Sequence, residues 1–308
     1  MVSKPFGFLI VDKPSGITSH DCVNVIRKIY STKRVGHGGT LDPGVTGVLP
    51  IAVGNATRLF KFLNNEKAYE AKIQLGVQTS TDDLFGEIVS QNNWPILKKT
   101  DLENLLKDFC GEIRQRPPMV SSIKINGERA YKKARSGKTF ELPPREVRIF
   151  KLNLLKWDQH KGLISIYIEC SSGTYVRSLA RDIGIKLNCG GTLHSLRRTK
   201  ALGFKIDDSI KLPKYSNNIS NAPILVNPLK GLIHLTKYKI KNINELKKWR
   251  KGQSLHIESK ELIKPNTLNL KVEIKDIIMI FEDDLIEGVG LLVENNIIKP
   301  KIVFNAIG

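Results

Sequence analysis

The first part of the chain shows two hydrophobic periods in turn, that of a strand and that of a helix. The run FGFLIVDKPSG predicts a strand that ends in a turn, because Pro14 and Gly16 follow its apolar residues. The next segment, TSHDCVNVIRKIY, has apolar residues at helical spacing behind Thr18 or Ser19, either of which can cap a helix. A strand followed by a helix is therefore expected at the N-terminus.

Further along, the pattern favours strands over helices. The stretch GVLPIAVG predicts a short strand, and ATRLFKFLNN one or two helical turns. The stretch KAYEAKIQLGVQTSTDDLFGEIVSQ alternates, breaks at a polar segment and resumes, which predicts a hairpin with a long tip. DLENLLKDFCGEI predicts an amphipathic helix that is capped by Asp101 and ends at Gly111. Two more strands then precede a helix that begins near Tyr175, so the pattern as a whole indicates a mixed α+β fold dominated by antiparallel strands.

A change in composition divides the chain. Asn, Ser, Pro and Gly concentrate between residues 212 and 231, where the periodicity fades. The last part, residues 232–308, predicts one helix, several short strands and a closing hairpin. We therefore expect a principal domain over residues 1–212, a linker over 213–231, and a small β-barrel-like domain over 232–308.

Length and composition indicate a soluble globular protein. The chain has 308 residues, of which 41% are hydrophobic and 26% charged, and no apolar run reaches the roughly 18 residues of a membrane span. The first apolar run is too short for a signal peptide and leads directly into Asp12 and Lys13. The four cysteines show neither a CxxC pair nor zinc-site spacing. These features predict free thiols in a reducing cytoplasm.

The charge points to a polyanionic partner. Lys and Arg number 49 against 30 Asp and Glu, a formal net charge of +19 with an isoelectric point near 9.7. A lysine-rich surface that serves only solubility is the alternative. The segment from Arg114 to Lys151 contains eleven Lys or Arg but only three Asp or Glu, and it also contains four prolines. Such a basic, partly irregular arm is suited to a phosphate backbone.

The chemistry points to one carboxylate. The segment GHGGTLDPGVTG, residues 36–47, surrounds Asp42 with glycines that let the backbone approach a ligand closely. His37 offers a flat ring that can stack, and Pro43 restricts the conformation of the Asp before it. In the simpler interpretation this is a structural turn, in which Asp42 caps a helix or accepts hydrogen bonds from loop amides.

An ordered series of motifs carries a family resemblance. FLIVDKPSGITS, GHGGTLDPGVTGVLPIAVGNATR, KAYEAKIQLGVQTSTDD, SSIKINGERAYKKAR, CSSGTYVRS and LRRTK together resemble the TruB-type tRNA pseudouridine synthases over about residues 6–205. The C-terminal part is similar in length and closing hairpin to the PUA-like RNA-binding domain of such enzymes. The resemblance implies a pseudouridine synthase catalytic domain with a basic RNA-binding insertion at about 114–151.

The resemblance also implies site residues. Asp42 is expected to be the catalytic carboxylate, as nucleophile or as base, in a reaction that needs no cofactor and no metal. Tyr69 is expected to stack on the uracil near the C5 proton, and Arg177 to pair with Asp42. The remaining residues are expected to bind substrate or support the pocket. His37 is expected to fill the space left by the flipped base, and Tyr175 and Leu196 to bound the base pocket. Asp83 is expected to orient a cation near the site, and Lys13 to support the floor of the active site.

The implied substrate is the uridine at conventional position 55 in the T loop of tRNA. The implied partner is the T-arm stem-loop, bound by a cytoplasmic monomer that needs no other protein and no membrane. Two alternatives remain at this stage. The chain can be a non-catalytic tRNA-binding or folding factor, or a guide-dependent subunit that modifies ribosomal RNA.

Overall fold

A computed structural model of the protein describes residues 5–121, 123–125, 127–130, 133, 140, 142–214, 222–265 and 276–307. In chain order the strands are β1 (Gly7–Lys13), β2 (Val35–His37), β3 (Thr46–Val53), β4 (Lys67–Leu75), β5 (Val77–Thr79), β6 (Ile88–Gln91), β7 (Gly111–Gln115), β8 (Lys124–Ile125), β9 (Glu128–Arg129), β10 (Arg145–Asp158), β11 (Leu163–Cys170), β12 (Gly191–Ala201), β13 (Phe204–Lys205), β14 (Ile210–Lys211), β15 (Thr236–Lys239), β16 (Leu255–His256), β17 (Ile277–Glu282), β18 (Leu285–Val293) and β19 (Ile297–Val303). The α-helices are α1 (Ser19–Ile29), α2 (Lys99–Lys107), α3 (Val176–Lys186), α4 (Pro228–Gly231) and α5 (Ile243–Arg250), and 3₁₀ turns occupy Gly54–Phe62, Ile206–Asp208, Ser259–Glu261 and Glu294–Asn296.

The principal sheet places the long buried strands at its centre. Its order is β14-β1-β3-β12-β4-β11-β10-β7, with β2 paired to β3 and β13 paired to β12. Among the strands that the structure describes, only β1–β14 and β3–β12 pair in parallel within this sheet. A smaller, curled sheet of order β15-β17-β18-β19-β16 forms the C-terminal part. The prediction of a mixed, mainly antiparallel α+β fold with a small β-rich C-terminal part is confirmed.

The two sheets share an apolar core. Phe8 and Leu59 from the principal part lie in one buried cluster with Ile286, Val289 and Phe304 of the smaller sheet. The chain that connects the two parts also packs on the principal sheet. The backbone groups of Phe8 and Val226 exchange hydrogen bonds of 2.9 and 2.7 Å. Val226, which lies in the stretch where the composition changes, therefore extends this sheet. Residues 215–221 of the predicted linker lie outside the described residues.

One local prediction is confirmed in part, and another was wrong. The predicted hairpin with a long polar tip is present as β5–β6, but its first arm is the short β5, whereas β4 pairs with β11 and β12 in the principal sheet. Gly76, at a φ of +82°, separates the two segments with a backbone conformation that favours glycine. Asp101 does not cap α2 but lies in its first turn, where its carboxylate accepts the N–H of the true cap, Lys98, at 3.0 Å.

The predicted basic arm enters and leaves through paired strands. Its first residues belong to β7 and its last to β10, and Arg145 of β10 pairs with Gln115 of β7. Much of the arm between them, residues 122, 126, 131, 132, 134–139 and 141, lies outside the described residues. Within the described part of the chain, no helix is long and apolar enough to cross a membrane.

A buried ion pair holds the C-terminal sheet against α5. Glu287 is fully buried on β18, and its two carboxylate oxygens accept from Nε and Nη2 of Arg250 at 2.9 and 2.6 Å. The indole of Trp249, also fully buried, donates to the backbone oxygen of Glu287 at 2.9 Å. A buried pair of this kind becomes a liability when one partner is removed, because the other keeps its desolvation cost.

We therefore expect Glu287→Ala to lower the free energy of unfolding by about 1–3 kcal/mol, because the Arg250 guanidinium, which is 27% exposed, loses both of its carboxylate acceptors and keeps part of its desolvation cost. Chemical denaturation measures the change. The control is Glu294→Ala, which removes an exposed carboxylate from the turn that follows β18 and is expected to stay within about 0.5 kcal/mol of the parent. Equal losses in the two variants would contradict this assignment.

Candidate active site

The loop that carries Asp42 connects β2 to β3 and is held from below by a buried lysine. Lys13, at the end of β1, is fully buried, and its ammonium donates to the backbone oxygens of Pro14, Ile17 and Pro43 at 2.9, 2.8 and 3.1 Å. Burial lowers the pKa of Lys13. The structure therefore places Lys13 under the loop, with its donors directed at backbone oxygens that include the one next to Asp42.

The start of α1 fixes the same loop. Thr18 caps the helix, accepting from the N–H of Asp21 at 3.0 Å. Ser19 is consequently free to face inward, where its hydroxyl donates to the backbone oxygen of Leu41 at 3.0 Å and accepts from its N–H at 2.8 Å. The backbone on both sides of Asp42 is thus bonded to the N-terminal segment, since Gly16 N–H also donates to the backbone oxygen of Pro43.

A second buried cation holds the loop from the sheet. Arg198 on β12 is fully buried, and its guanidinium donates to the oxygens of Val48 at 2.7 Å, Gly39 at 3.0 Å and Thr40 at 3.4 Å. Burial lowers the pKa of Arg198, and a hydrogen bond with the Tyr69 phenol opposes that shift. Arg198 therefore joins the loop, β3 and β4 at one point.

The carboxylate of Asp42 is paired on one side only. Nη2 of Arg177, the second residue of α3, lies 3.2 Å from Oδ2 of Asp42. The other oxygen, Oδ1, has no hydrogen-bond partner among the described residues, and half of the Asp42 side chain is exposed. The acid is thus oriented by a cation and open to a ligand.

Arg177 is itself fully engaged. Its side chain is 9% exposed, and Nη1 lies 3.2 Å from Oδ2 of Asp83 and 3.3 Å from the oxygen of Thr81. Nη2 also donates to the oxygen of Val120 at 2.8 Å. Asp42, Asp83 and Arg177, all singled out from the sequence, are thus brought together. A guanidinium with this many acceptors cannot turn away from Asp42 without leaving them unpaired.

Tyr69 and Leu196 lie on one face of the neighbouring strands. Tyr69 pairs with Arg198 and Ala71 with Leu196 across β4 and β12, so the regular two-residue alternation puts these side chains on the same side. Burial raises the pKa of Tyr69 to about 12, and the phenol is therefore neutral over the physiological range. Asp42 is close enough to Tyr69 to contribute to that shift.

His37 and Tyr175 are fixed by other contacts than the Asp42 carboxylate. His37 ends β2 half-buried, and burial followed by the positive charge of Arg198 lowers its pKa, which keeps the imidazole neutral. Tyr175 caps α3 and donates its backbone N–H to Oε1 of Gln115 at 2.8 Å. Among the residues that the structure describes, neither makes a hydrogen bond to Asp42.

The start of the basic arm is bound beside the site. The backbone oxygen of Arg116 accepts from Ser178 Oγ and from Arg181 Nη2, both at 2.8 Å. Arg181 in turn pairs with Asp82 at 2.8 Å, the neighbour of Asp83. Residues 115–121 are therefore fastened to α3 at the end that carries Arg177.

Arg198 is a residue of the candidate site that the sequence interpretation missed, although a signal was present. Two consecutive arginines, Arg197 and Arg198, occur in an alternating strand, so one of them must face the interior. Arg197 faces outward and pairs with Asp12 at 2.8 Å. Ser19 was missed because a serine at the start of a helix is ordinarily explained as a cap.

The geometry allows chemistry by a lone carboxylate. In the described ranges no group of three or more His, Cys, Asp or Glu side chains could hold a metal ion. The exposed Oδ1 of Asp42 can attack an electrophilic carbon or accept a proton, while a buried aromatic beside it can stack on a planar ligand.

Sequence comparisons point to one family. The family described as TruB family pseudouridylate synthase (N terminal domain) matches residues 27–176. A protein of Prochlorococcus marinus named tRNA pseudouridine synthase B is 53% identical over 315 residues, covering 100% of both chains. A protein of the same name from a Synechococcus species is 46% identical and covers 99% of each chain.

Solved structures share the architecture. A chain of the crystal structure of a Cbf5-Nop10-Gar1 complex aligns with a TM-score of 0.70 at 25% identity, covering 97% of this chain and 84% of the other. A chain of an H/ACA RNP bound to a substrate RNA containing 2′-deoxyuridine aligns with a TM-score of 0.69 at 25% identity, covering 97% and 85%.

Replacing the loop-holding arginine tests the geometry of the site. Arg198→Lys keeps the charge but loses the fork that reaches Val48, Gly39 and Thr40 together, and we expect it to lower the free energy of unfolding by roughly 2–4 kcal/mol. Thermal and chemical denaturation measure the effect. Arg197→Lys, the same change one residue away on the outward face, is expected to cost no more than about 1 kcal/mol. The assignment fails if the two variants lose the same stability.

Proposed function

Because the chain belongs to the TruB family of pseudouridylate synthases, we propose that it isomerises uridine 55 in the T loop of tRNA and that Asp42 is the catalytic carboxylate. The observation that carries this proposal is the one-sided ion pair of Asp42. Arg177 fixes one carboxylate oxygen at 3.2 Å, and the other oxygen is open beside Tyr69. A reaction at a sugar carbon requires such an oriented and accessible acid.

The isomerisation breaks the bond between ribose C1′ and N1 of the base and forms a bond between C1′ and C5. Over the whole reaction one proton leaves C5 and one is gained at N1, so no electrons are exchanged with a second substrate. Asp42 can act by attack of Oδ1 on C1′ or by accepting a proton from the sugar. Both pathways use the same free oxygen and the same orienting cation.

Tyr69 supplies a surface for the base in this mechanism. The phenol has a pKa of about 12 because it is buried, so it remains protonated during turnover. A neutral ring can stack on uracil while the base turns, close to the C5 proton that must leave. Leu196, on the same face, bounds the pocket from β12.

The substrate uridine must leave its loop to reach this site. Base-modifying enzymes offset the cost of unstacking with contacts to the flipped base and to the surrounding RNA. The start of the basic arm is bonded to Arg177, Ser178 and Arg181 through the backbone oxygens of Val120 and Arg116, and this supports the proposal that the arm contacts the RNA around the flipped nucleotide. We assign His37 and Tyr175 to the rim of the base pocket, Asp83 to the positioning of Arg177 and Lys13 to the support of the loop.

A second basic surface lies where the two sheets meet. Arg58, Lys61 and Lys301 line a groove of about 390 Å³ together with Thr57, Phe60 and Ile302. The Arg58 guanidinium lies 5.7 Å from the centre of the Phe304 ring. We propose that the C-terminal part, residues 232–308, is a PUA-like RNA-binding domain and that this groove contacts tRNA phosphates.

The alternative functions, a folding factor and a guide-dependent subunit, differ from the proposed enzyme in whether they need a catalytic acid or a guide RNA. By their titles, the solved chains above come from multi-component assemblies, an H/ACA RNP and a Cbf5-Nop10-Gar1 complex. The relatives at 46–53% identity are named tRNA pseudouridine synthase B over the full length of this chain. A folding factor would not need an acid with one open oxygen. We therefore propose a single-chain, monomeric enzyme that acts on tRNA in the cytoplasm without a guide RNA.

Asp42→Asn is expected to abolish pseudouridine formation while RNA binding remains, because the amide keeps the shape of the acid but cannot serve as nucleophile or base. Purified wild type and variant are incubated with unmodified tRNA transcript alone, and pseudouridine is mapped by carbodiimide-stop sequencing. The wild type should give one stop, in the T loop.

Asp284→Asn is the matched control, since it neutralises an exposed aspartate in the turn between β17 and β18 and should leave activity intact. Wild type that binds transcript but modifies nothing would contradict the proposed enzyme. Modification that appears only after a guide RNA is added would favour the guide-dependent alternative.

The proposed phosphate contacts in the groove between the sheets predict how the salt dependence of tRNA binding changes. Lys61→Ala combined with Lys301→Ala should weaken tRNA binding and reduce the slope of log affinity against log salt by about 1.4–1.8, at about 0.7–0.9 for each lost phosphate contact. Titrations at four salt concentrations measure the slope. Lys156→Ala with Lys161→Ala removes two exposed lysines, one in β10 and one in the β10–β11 turn, and should leave the slope unchanged. Equal slopes in the two double variants would exclude the groove as a phosphate site.

A further inference from the structure

An exposed aromatic side chain lies beside the candidate active site. Phe85, in the turn between β5 and β6, is 83% exposed, and its neighbours Leu84, Ile88 and Val89 are 47%, 60% and 68% exposed. An exposed aromatic ring with exposed apolar residues next to it in sequence is typical of an interaction surface. None of these residues belongs to the machinery described above.

The Phe85 ring rests on the catalytic loop. A β-carbon built on Gly44 would lie 2.5 Å from Cε2 and 2.6 Å from Cζ of Phe85, so the ring packs directly against the glycine backbone. Gly44 follows Asp42 by two residues. The ring therefore covers the loop on one side, and its high exposure leaves the rest of the ring open to solvent.

The turn that carries Phe85 is fixed by the same ion pair as the catalytic acid. Oδ1 of Asp83 accepts from the N–H of Phe85 at 3.0 Å and from the hydroxyl of Thr81 at 2.6 Å. Oδ2 of the same carboxylate pairs with Arg177, which pairs with Asp42. The backbone that carries the Phe85 ring and the Asp42 carboxylate thus belong to one hydrogen-bonded network. The exposed face of the ring is therefore held at a fixed place beside the acid.

We propose that Phe85 is a stacking platform for a nucleobase adjacent to the uridine that enters the site. An RNA loop that releases one base leaves its neighbours unstacked, and aromatic side chains bind such bases through their faces. Phe85 is apolar, so it suits a base more than a phosphate, while the net charge of +19 attracts the backbone. This inference rests on the proposed action on tRNA.

Binding experiments in the Asp42→Asn background test the platform without turnover. Phe85→Ala is expected to weaken tRNA affinity about 5- to 150-fold, the range for removing one aromatic–base stack. Phe85→Tyr keeps the ring and should bind within twofold of the parent, whereas Phe85→Leu keeps apolar volume but should lose most of the affinity. Ile96→Ala removes an apolar side chain that is 92% exposed elsewhere, and is expected to bind like the parent.

A fluorescent probe reports the stack itself. Two transcripts carry 2-aminopurine, one immediately 5′ and the other immediately 3′ of the target uridine. The fluorescence of one of them should be quenched on binding to the protein with Phe or Tyr at position 85. No quenching is expected with Leu or Ala at that position. In the active enzyme Phe85→Ala should raise KM and leave single-turnover rates at saturation within threefold.

Two results would overturn the proposal. Affinity of Phe85→Ala within twofold of the parent would mean that the exposed cluster serves a different partner, such as a protein. A Phe85→Leu variant that binds and quenches like the parent would mean that the side chain only packs on Gly44. Failure of the proposed function is seen separately, as wild type that binds transcript and forms no pseudouridine.

Discussion

Two buried cations whose donors bind backbone oxygens determine the geometry of the active site. The Lys13 ammonium and the Arg198 guanidinium have left water, and oxygens of the Asp42 loop and its surroundings satisfy their donors. A buried charge that loses such partners keeps its desolvation cost, so any loop conformation that withdraws those oxygens is strongly disfavoured. The loop has little regular structure of its own, and the cations replace the rigidity that a strand or helix would provide.

Arg177 extends this order from the backbone to the side chain of Asp42, the proposed catalytic acid. The contrast in exposure between Arg177 at 9% and Asp42 at 50% separates a fixed cation from an accessible acid. The same guanidinium contacts Asp83 in the β5–β6 turn and Val120 at the start of the basic arm. Three separate chain segments thus converge on one side chain, which couples the position of the acid to the segments proposed to contact RNA.

Features that depend on near neighbours in sequence could be predicted, and those that depend on sheet pairing could not. The first strand and helix followed from local periodicity, and the family motifs led to Asp42, Arg177 and Asp83. The β5–β6 hairpin was wrongly extended back into β4, because alternation does not reveal which strands pair. Arg198 escaped notice for a similar reason: its role depends on β12 lying beside β3, and the two strands are far apart in the sequence.

The pairing of β12 with β3 also has a consequence for synthesis on the ribosome. Asp42 and Lys13 emerge early, but the loop lacks its second cation until Arg198 has left the exit tunnel, and by then most of the principal sheet has been made. Contacts between such distant segments form late in folding. A nascent chain therefore exposes Asp42 long before the side chain is oriented, and the arrangement proposed to act on a nucleotide forms only when the principal sheet is nearly complete.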